Sequence, residues 1–395
     1  MVLEFDGNPL RGLNLLYKRY LSLNIRHRTG SFDTGMIGHL SYEMFRHVED
    51  LSFQALANYE VPETRFVFYR NILRFDEQES RYTLHATAYA GQEARDPAAT
   101  VNALRERCRS QKKASPLRCR IEDVRHEMSR SDYLSKVRTI KEHIRNGDIY
   151  QANLSWLLTA QCDGDPYVLL KRMYGLNPAS FYAYIKTPRA EILSSSPERF
   201  LYLDGRHIET RPIKGTINRS QVPENDRKNA QWLLSSVKDD AELSMIVDLL
   251  RNDLGKICEY RSVTVKEHKR LETYDNVFHL VSIIAGKLAT DITPIDAVVA
   301  CFPSGSVTGC PKIRCMEILS RLEPHQRQIY TGSIGYIGLD IMDLNIAIRT
   351  AVACAGRLFF QVGGGIVHDS REDDEYAETL YKAESFMKVA SALKD

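Results

Sequence analysis

The chain has 395 residues, 53 Lys and Arg against 51 Asp and Glu for a formal charge of +2, and is 43% apolar and 26% charged. That balance is ordinary for a globular chain able to bury a large core as one big domain or two, and it gives no electrostatic case for a nucleic-acid partner. The N-terminus lacks a signal-peptide layout and no apolar stretch approaches the ~18 residues of a membrane span, so with eight cysteines that match neither a C-x-x-C pair nor a zinc spacing the chain reads as a reduced, cytoplasmic protein.

Residues 35–90 read as strands with turns: Gly35 to Tyr42, then Arg65 to Tyr69 and Ile72 to Phe75, rich in aromatic and branched side chains. The stretch 91–127 is polar and serves as a connection, and its basic run from Arg105 to Lys113, without aromatics, is a solvated segment. Ser131 precedes a helical pattern with Leu134, Val137, Ile140 and Ile144 on one face, stopped by Asn146-Gly147. Residues 183–185 and 200–203 are strand-like, and 226–255 form one long helical stretch. A helix follows Pro311, strands follow at 333–338 and 345–354, and a helix over 373–393 closes the chain. Antiparallel turns outnumber βαβ units, so the fold class is α+β.

Several groups of residues could carry chemistry. Pro212 and Gly215 shape a turn in Thr210-Arg211-Pro212-Ile213-Lys214-Gly215-Thr216 that presents Lys214 as a surface charge, a substrate clamp or an amine nucleophile. Asp239 and Glu242 share a helical face running into an apolar segment, where a lone buried charge is costly. Glu375, Glu378 and Lys382 form one stripe of the last helix, although Glu378–Lys382 also fits an i,i+4 surface pair. Glu198 follows three serines and a proline. Oxygen-only donors of this kind favour Mg2+, which takes one or two carboxylates plus an anionic substrate. The loop from Phe302 to Lys312 fails the P-loop pattern because Pro311 replaces a free backbone position and no G-K-[ST] follows. Gly363-Gly364-Gly365 lets a backbone approach a flat ligand. Arg349, in an apolar run, wants a carboxylate or phosphate partner. His279, also among apolar residues, reads first as a hydrogen-bonded core histidine.

In order along the chain these motifs resemble the chorismate-utilising enzymes. The matching segments are Gly147 to Leu154, Ser196-Pro197-Glu198-Arg199, Met245 to Leu254, Phe278 to Val281, the 303–312 loop, Tyr330 to Gly335, Ala347 to Thr350, Gly363 to Val367, and the helix with Glu378 and Lys382. The resemblance is close over 128–388 and weaker over 35–90. It implies a large sandwich of antiparallel sheets flanked by helices, with the active site between the sheets. Residues 1–115 would supply the N-terminal part and 128–388 the chorismate-binding catalytic region of one compact domain.

The resemblance also implies roles. Members that add water carry a lysine base where this chain has Gln151, so an ammonia-using member is implied. Lys214, where anthranilate-forming members carry alanine, implies amination at C4 to 4-amino-4-deoxychorismate, a precursor of p-aminobenzoate for folate. An anthranilate-forming member is the alternative, and a non-catalytic scaffold for an amidotransferase is the alternative of another class. Mg2+ would be held by Glu242 and Glu378, with Glu375 and Asp239 behind them. Tyr330, Arg349 and the three glycines would hold the enolpyruvyl carboxylate, and Thr308 and Lys382 would orient the substrate. Lys214 would be the nucleophile, assisted by Glu198 and His279. Ammonia would come from a glutamine amidotransferase subunit.

Overall fold

The computed structural model describes residues 7–23, 25, 30–51, 55–87, 96–110, 117–176 and 179–393. Two antiparallel sheets dominate it. The first runs in the order Ile213–Asn218, Val277–Lys287, His207–Arg211, Arg199–Asp204, Ile341–Asn345, Ser333–Ile337, Gly35–Leu40 and Thr64–Tyr69, with Thr264–Thr273 added to Val277–Lys287. The second runs Gly309–Cys310, Gln151–Gly164, Arg357–Ile366, Thr350–Cys354, Ala190–Ser196 and Phe181–Lys186, with Cys119–His126 on the far half of Gln151–Gly164. The N-terminal strands are therefore integral to the first sheet through the pairing of Gly35–Leu40 with Ser333–Ile337.

Each sheet is covered by helices on one face and looks toward the other sheet with its second face. Val237–Gly255 and Pro294–Cys301 pack over the first sheet in one apolar cluster. Arg130–Arg145, Tyr167–Leu176 and Glu372–Ser391 pack over the second. A smaller cluster joins Ile334 of the first sheet to Ala190, Ile192 and Val352 of the second. This is the α+β sandwich that the motifs imply.

Gln151–Gly164 shows how the layering acts on sequence. Leu154, Trp156, Leu158 and Ala160 face the helices, while Asn153, Ser155 and Thr159 on the alternate positions are also buried, because the second face meets the opposite sheet. Covered on both sides, the strand keeps its alternation of apolar and polar residues although both sets are buried.

Local chemistry moves several boundaries. The helix at Arg130–Arg145 starts two residues earlier in its cap than expected: the Ser129 side chain, not that of Ser131, accepts from the Asp132 N–H. The polar connection contains a helix, Pro97–Ser110, and the strand Cys119–His126. Arg105, Arg107 and Arg109 are exposed on that helix, whereas Lys112 and Lys113 lie outside the described residues. The single long helix expected over 226–255 is two, Pro223–Ser235 and Val237–Gly255. Ser236 takes an extended conformation and caps the second by accepting from the Asp239 N–H. The strand expected over 345–354 is broken at Arg349, whose φ of 49° lies in the left-handed region. Among the described residues no helix is long and apolar enough to cross a membrane.

Candidate active site

A cavity of about 340 Å³ lies between the two sheets. The first sheet contributes Lys214, Thr216 and His279, and the second contributes Asn153, Gly363 and Gly365. Asp239 and Glu242 enter from Val237–Gly255, and Glu378 and Lys382 from Glu372–Ser391. Loops bring Glu198, Ser306, Tyr330 and Arg349.

Lys214 owes its position to an irregularity. The register of Ile213–Asn218 against Val277–Lys287 shifts between Lys214 and Thr216, and Gly215 takes a φ of 68° at the shift. Such a bulge re-aims a side chain. A Cβ at residue 215 would stand 2.9 Å from Leu233 and 3.1 Å from the Asp239 carboxyl carbon, so only glycine fits between strand and helix. The Lys214 Nζ lies 3.8 Å from Glu242 Oε2, and Lys238 Nζ lies 3.9 Å from Glu242 Oε1. Both distances are beyond hydrogen bonding, so Glu242 is attracted to cations without being bonded to either.

Glu198 is 4% exposed. Its own N–H donates to Ser196 Oγ, which donates in turn to the Ile346 carbonyl, so the three-serine run fixes the backbone that carries the acid. Its Oε1 is buried without a hydrogen-bond partner. Burial pushes the carboxyl up to about 7, against the opposing pull of a Ser306 hydrogen bond and the Lys214 charge. His279 shares a 2.8 Å hydrogen bond with Thr216 Oγ1 through Nδ1, and burial, reinforced by Arg349, lowers it to about 4. Its imidazole is neutral at neutral pH.

Arg349 is held by its backbone, because its carbonyl accepts from both the Ser195 N–H and the Ser195 hydroxyl at 3.1 Å. Its guanidinium has no carboxylate partner among the described residues, and burial pulls it below the usual arginine value. Tyr330 faces Gly363, where an added Cβ would lie 2.8 Å from the phenol oxygen, and burial pushes that phenol up to about 12. At residue 365 a Cβ would lie 2.4 Å from Gln151 Nε2 and 3.4 Å from Lys214 Nζ. Lys382 Nζ donates to the Gly363 carbonyl at 3.0 Å and pairs with Glu378 Oε1 at 2.7 Å. Glu378 is half-exposed; burial opposes its charge, but Lys382, Lys214 and Lys238 together hold its carboxyl below the usual range.

The remaining sequence candidates stand off the cavity wall. Gly364 points to the opposite face of its strand, toward Glu375 and Tyr133. Glu375 is buried behind that glycine. It accepts from Ser370 Oγ through Oε1 and has an unpartnered Oε2, and burial, with Glu378 nearby, raises it. Gln151 is buried with an unpartnered Oε1, and its Nε2 stands on the same face of Gly365 as the Lys214 ammonium. Thr308 is wholly buried and its hydroxyl donates to the Ser304 carbonyl, so the loop presents Ser306 and Val307 to the cavity in its place.

No group of three or more His, Cys, Asp or Glu among the described residues forms a ready-made metal cluster. A hard cation held by two carboxylates and an anionic ligand needs no such cluster. Glu242 and Glu378 suit that arrangement in that both line the cavity and both supply oxygen donors, and a cation there would take the place that the Lys214, Lys238 and Lys382 ammonium groups now hold beside them.

Sequence reasoning missed Arg327. It is fully buried and forks onto both Glu323 oxygens at 2.7 and 2.8 Å. The same guanidinium donates to the carbonyls of Val307 and Asn153, two wall residues, and lies 4.6 Å from the Tyr42 ring centroid. Glu323 in turn accepts from the Ser155 N–H and hydroxyl. The i,i+4 spacing of Glu323 and Arg327 resembles any surface ion pair and gave no signal. Trp232 and Lys238 at the rim were missed likewise, since neither belongs to a motif.

A sandwich with this cavity between its sheets is the architecture of the chorismate binding enzymes, and the chain belongs to that family: its residues 8–388 match the family model. Among individual proteins, it is 35% identical over 387 residues to aminodeoxychorismate synthase component 1 of Bacillus subtilis, spanning 96% of this chain and 81% of that protein. It is 39% identical over 353 residues to the Salmonella typhimurium protein of the same name, spanning 89% and 75%. The solved anthranilate synthase component I from Streptococcus pneumoniae superposes with a TM-score of 0.84 at 32% identity, over 96% of this chain and 86% of that one.

Proposed function

We propose that this chain is the synthase component that converts chorismate and ammonia to 4-amino-4-deoxychorismate, in the cytoplasmic route to p-aminobenzoate and folate. Ammonia is released from glutamine by an amidotransferase partner. The observation that carries the reading is Lys214, raised by a bulge into a cavity beside the buried acid Glu198.

The cavity suits a small dianion. Arg349, free of any carboxylate partner among the described residues, and the Tyr330 hydroxyl receive the enolpyruvyl carboxylate, while Gly363 and Gly365 leave room for it. Glu242 and Glu378 would hold Mg2+, with Asp239 and Glu375 as supporting acids. When bound, the ion neutralises the ring carboxylate of chorismate. Lys382, fixed on the Gly363 carbonyl, orients the same end of the substrate.

A proton passing from Lys214 to Glu198 creates an amine nucleophile and a carboxylic acid together. The amine bonds to C2, both ring double bonds shift, and the C4–O bond breaks as Glu198 gives its proton to the departing hydroxyl, which leaves as water. Ammonia then bonds to C4, both ring double bonds shift back, the C2–N bond to Lys214 breaks, and the incoming nitrogen gives one proton to the released Lys214 amine. The sum is chorismate plus ammonia to aminodeoxychorismate plus water. His279, neutral and hydrogen-bonded to Thr216, lines the path without adding a charge. Gln151 cannot deprotonate water, so water is not recruited as the nucleophile.

The test is product analysis by mass spectrometry after incubation with chorismate, Mg2+ and an ammonium salt at high pH. Aminodeoxychorismate is the expected main product, with little isochorismate. Anthranilate or isochorismate as the main product, or no turnover, overturns the reading.

A further inference from the structure

The eight cysteines are scattered in sequence, yet two of them meet. Cys119 begins the strand Cys119–His126, and Cys162 lies near the end of Gln151–Gly164. The register pairs Cys119 with Gly164 and Ile121 with Cys162, so the two thiols are diagonal neighbours on one face of the sheet. Their sulfurs are 3.8 Å apart although 43 positions separate them in the chain. Cys119 is 7% exposed and Cys162 is partly exposed, so Cys162 is the more open of the two.

The pair is chemically asymmetric. The hydrogen bond with Cys162, then burial, pushes the Cys119 thiol up. The same hydrogen bond holds Cys162 below the ordinary thiol value against its own burial. Cys162, the more exposed of the two, takes the attacking role and Cys119, the buried one, the resolving role. Asp163, Asp165 and Glu191 lie close enough to act on Cys162, and a small anionic disulfide meets their repulsion.

We propose that Cys119 and Cys162 are a thiol–disulfide exchange site that reacts with small cationic or neutral disulfides and closes to an intramolecular disulfide. The Cys162 thiolate attacks one sulfur of the small disulfide, forms a mixed disulfide and releases one small thiol. Cys119 then loses its proton and attacks Cys162 Sγ, releasing the second small thiol. The two cysteines are oxidised by two electrons, and the small disulfide is reduced to two thiols. Closure needs the sulfurs to move from 3.8 Å to ~2.0 Å, which the first residue of an edge strand can supply. The site is remote from chorismate chemistry: Cys162 is nine strand residues from Asn153, about 30 Å along an extended chain.

The experiment treats the native chain with cystamine, removes excess reagent, and maps peptides without reduction. The expected result is a Cys119–Cys162 linked peptide, two fewer titratable thiols, and unchanged kcat and KM for chorismate. The melting temperature should rise by about 5 °C from the constrained 43-residue loop, and dithiothreitol should reverse it. Cys162→Ser should give no linked peptide while keeping wild-type turnover. Recovery of cystamine on Cys162 with Cys119 still free, or of both thiols unreacted in the folded protein, overturns the proposal.

Discussion

Replacing Glu198 with glutamine tests the site through stability as well as turnover. The folded carboxyl sits near 7 because burial disfavours its charge, whereas an ordinary glutamate titrates near 4.5. The folded state therefore binds the proton more tightly than the unfolded chain, and wild-type stability declines as pH rises from about 4.5 to about 7. A difference of that size corresponds to roughly 3 kcal/mol once Glu198 is fully ionised. That is an upper figure, because the neutral amide also removes an anion beside Lys214. Urea unfolding of both proteins from pH 4.5 to 8.5 is the assay. The stability gap, variant minus wild type, should grow in the variant's favour across pH 4.5–7 and level off above. Turnover should fall by about 10²–10⁴, the usual scale for a lost general acid, even as the protein becomes more stable at pH 8. A gap that stays flat with pH, or that widens only below pH 4.5, would refute the burial argument. Wild-type activity in the variant would refute the acid role.

Lys214→Ala should lose most aminodeoxychorismate formation while remaining folded and still binding chorismate, checked by product analysis alongside calorimetric titration; traces of anthranilate are compatible with it. Glu242→Ala and Glu378→Ala should each abolish the Mg2+ dependence of chorismate binding, measured by titrating the ion at fixed substrate, and undiminished turnover of both in excess chelator would sink the metal assignment. Arg327→Met should destabilise the fold by about 3–5 kcal/mol, because Glu323 keeps a buried charge without its partner, and denaturant unfolding at pH 7.5 reads this directly.

Much of the sandwich was legible because its strands carry turn chemistry and branched residues, as in Gly35–Leu40 and Thr64–Tyr69. Gln151–Gly164 was not read as a strand although Ala152, Leu154, Trp156, Leu158 and Ala160 alternate with Gln151, Asn153, Ser155 and Thr159; that period of two was a signal left unused. The split at Ser236 was missed because a serine inside an apolar pattern looks like a tolerated helix residue until its side chain is seen capping Asp239. Lys214, Glu198 and Arg349 were picked out by odd local settings: a lysine beside Pro and Gly, an acid after three serines, and an arginine in an apolar run. The spatial order behind the wall was not legible. Which glycine of three faces the ligand depends on strand phase, and whether Thr308 has a free hydroxyl depends on one hydrogen bond to Ser304. Arg327 was invisible because its i,i+4 spacing from Glu323 looks like a surface ion pair, and its two bonds to wall carbonyls leave no mark in a sequence.

The buried guanidinium of Arg327 has a bearing on how such a cavity changes its chemistry. It fastens the Asn153 strand and the Val307 loop with a single group, so a shift of one wall relative to the other costs a buried hydrogen bond. The container is thereby rigid with respect to small drifts in backbone. Lys214, on its bulge, is not tied by that guanidinium, so another side chain there changes the chemistry while the fastening stays. A cavity fastened this way changes reaction by swapping one projecting group at a time, and a graded drift in its shape is the route closed to it.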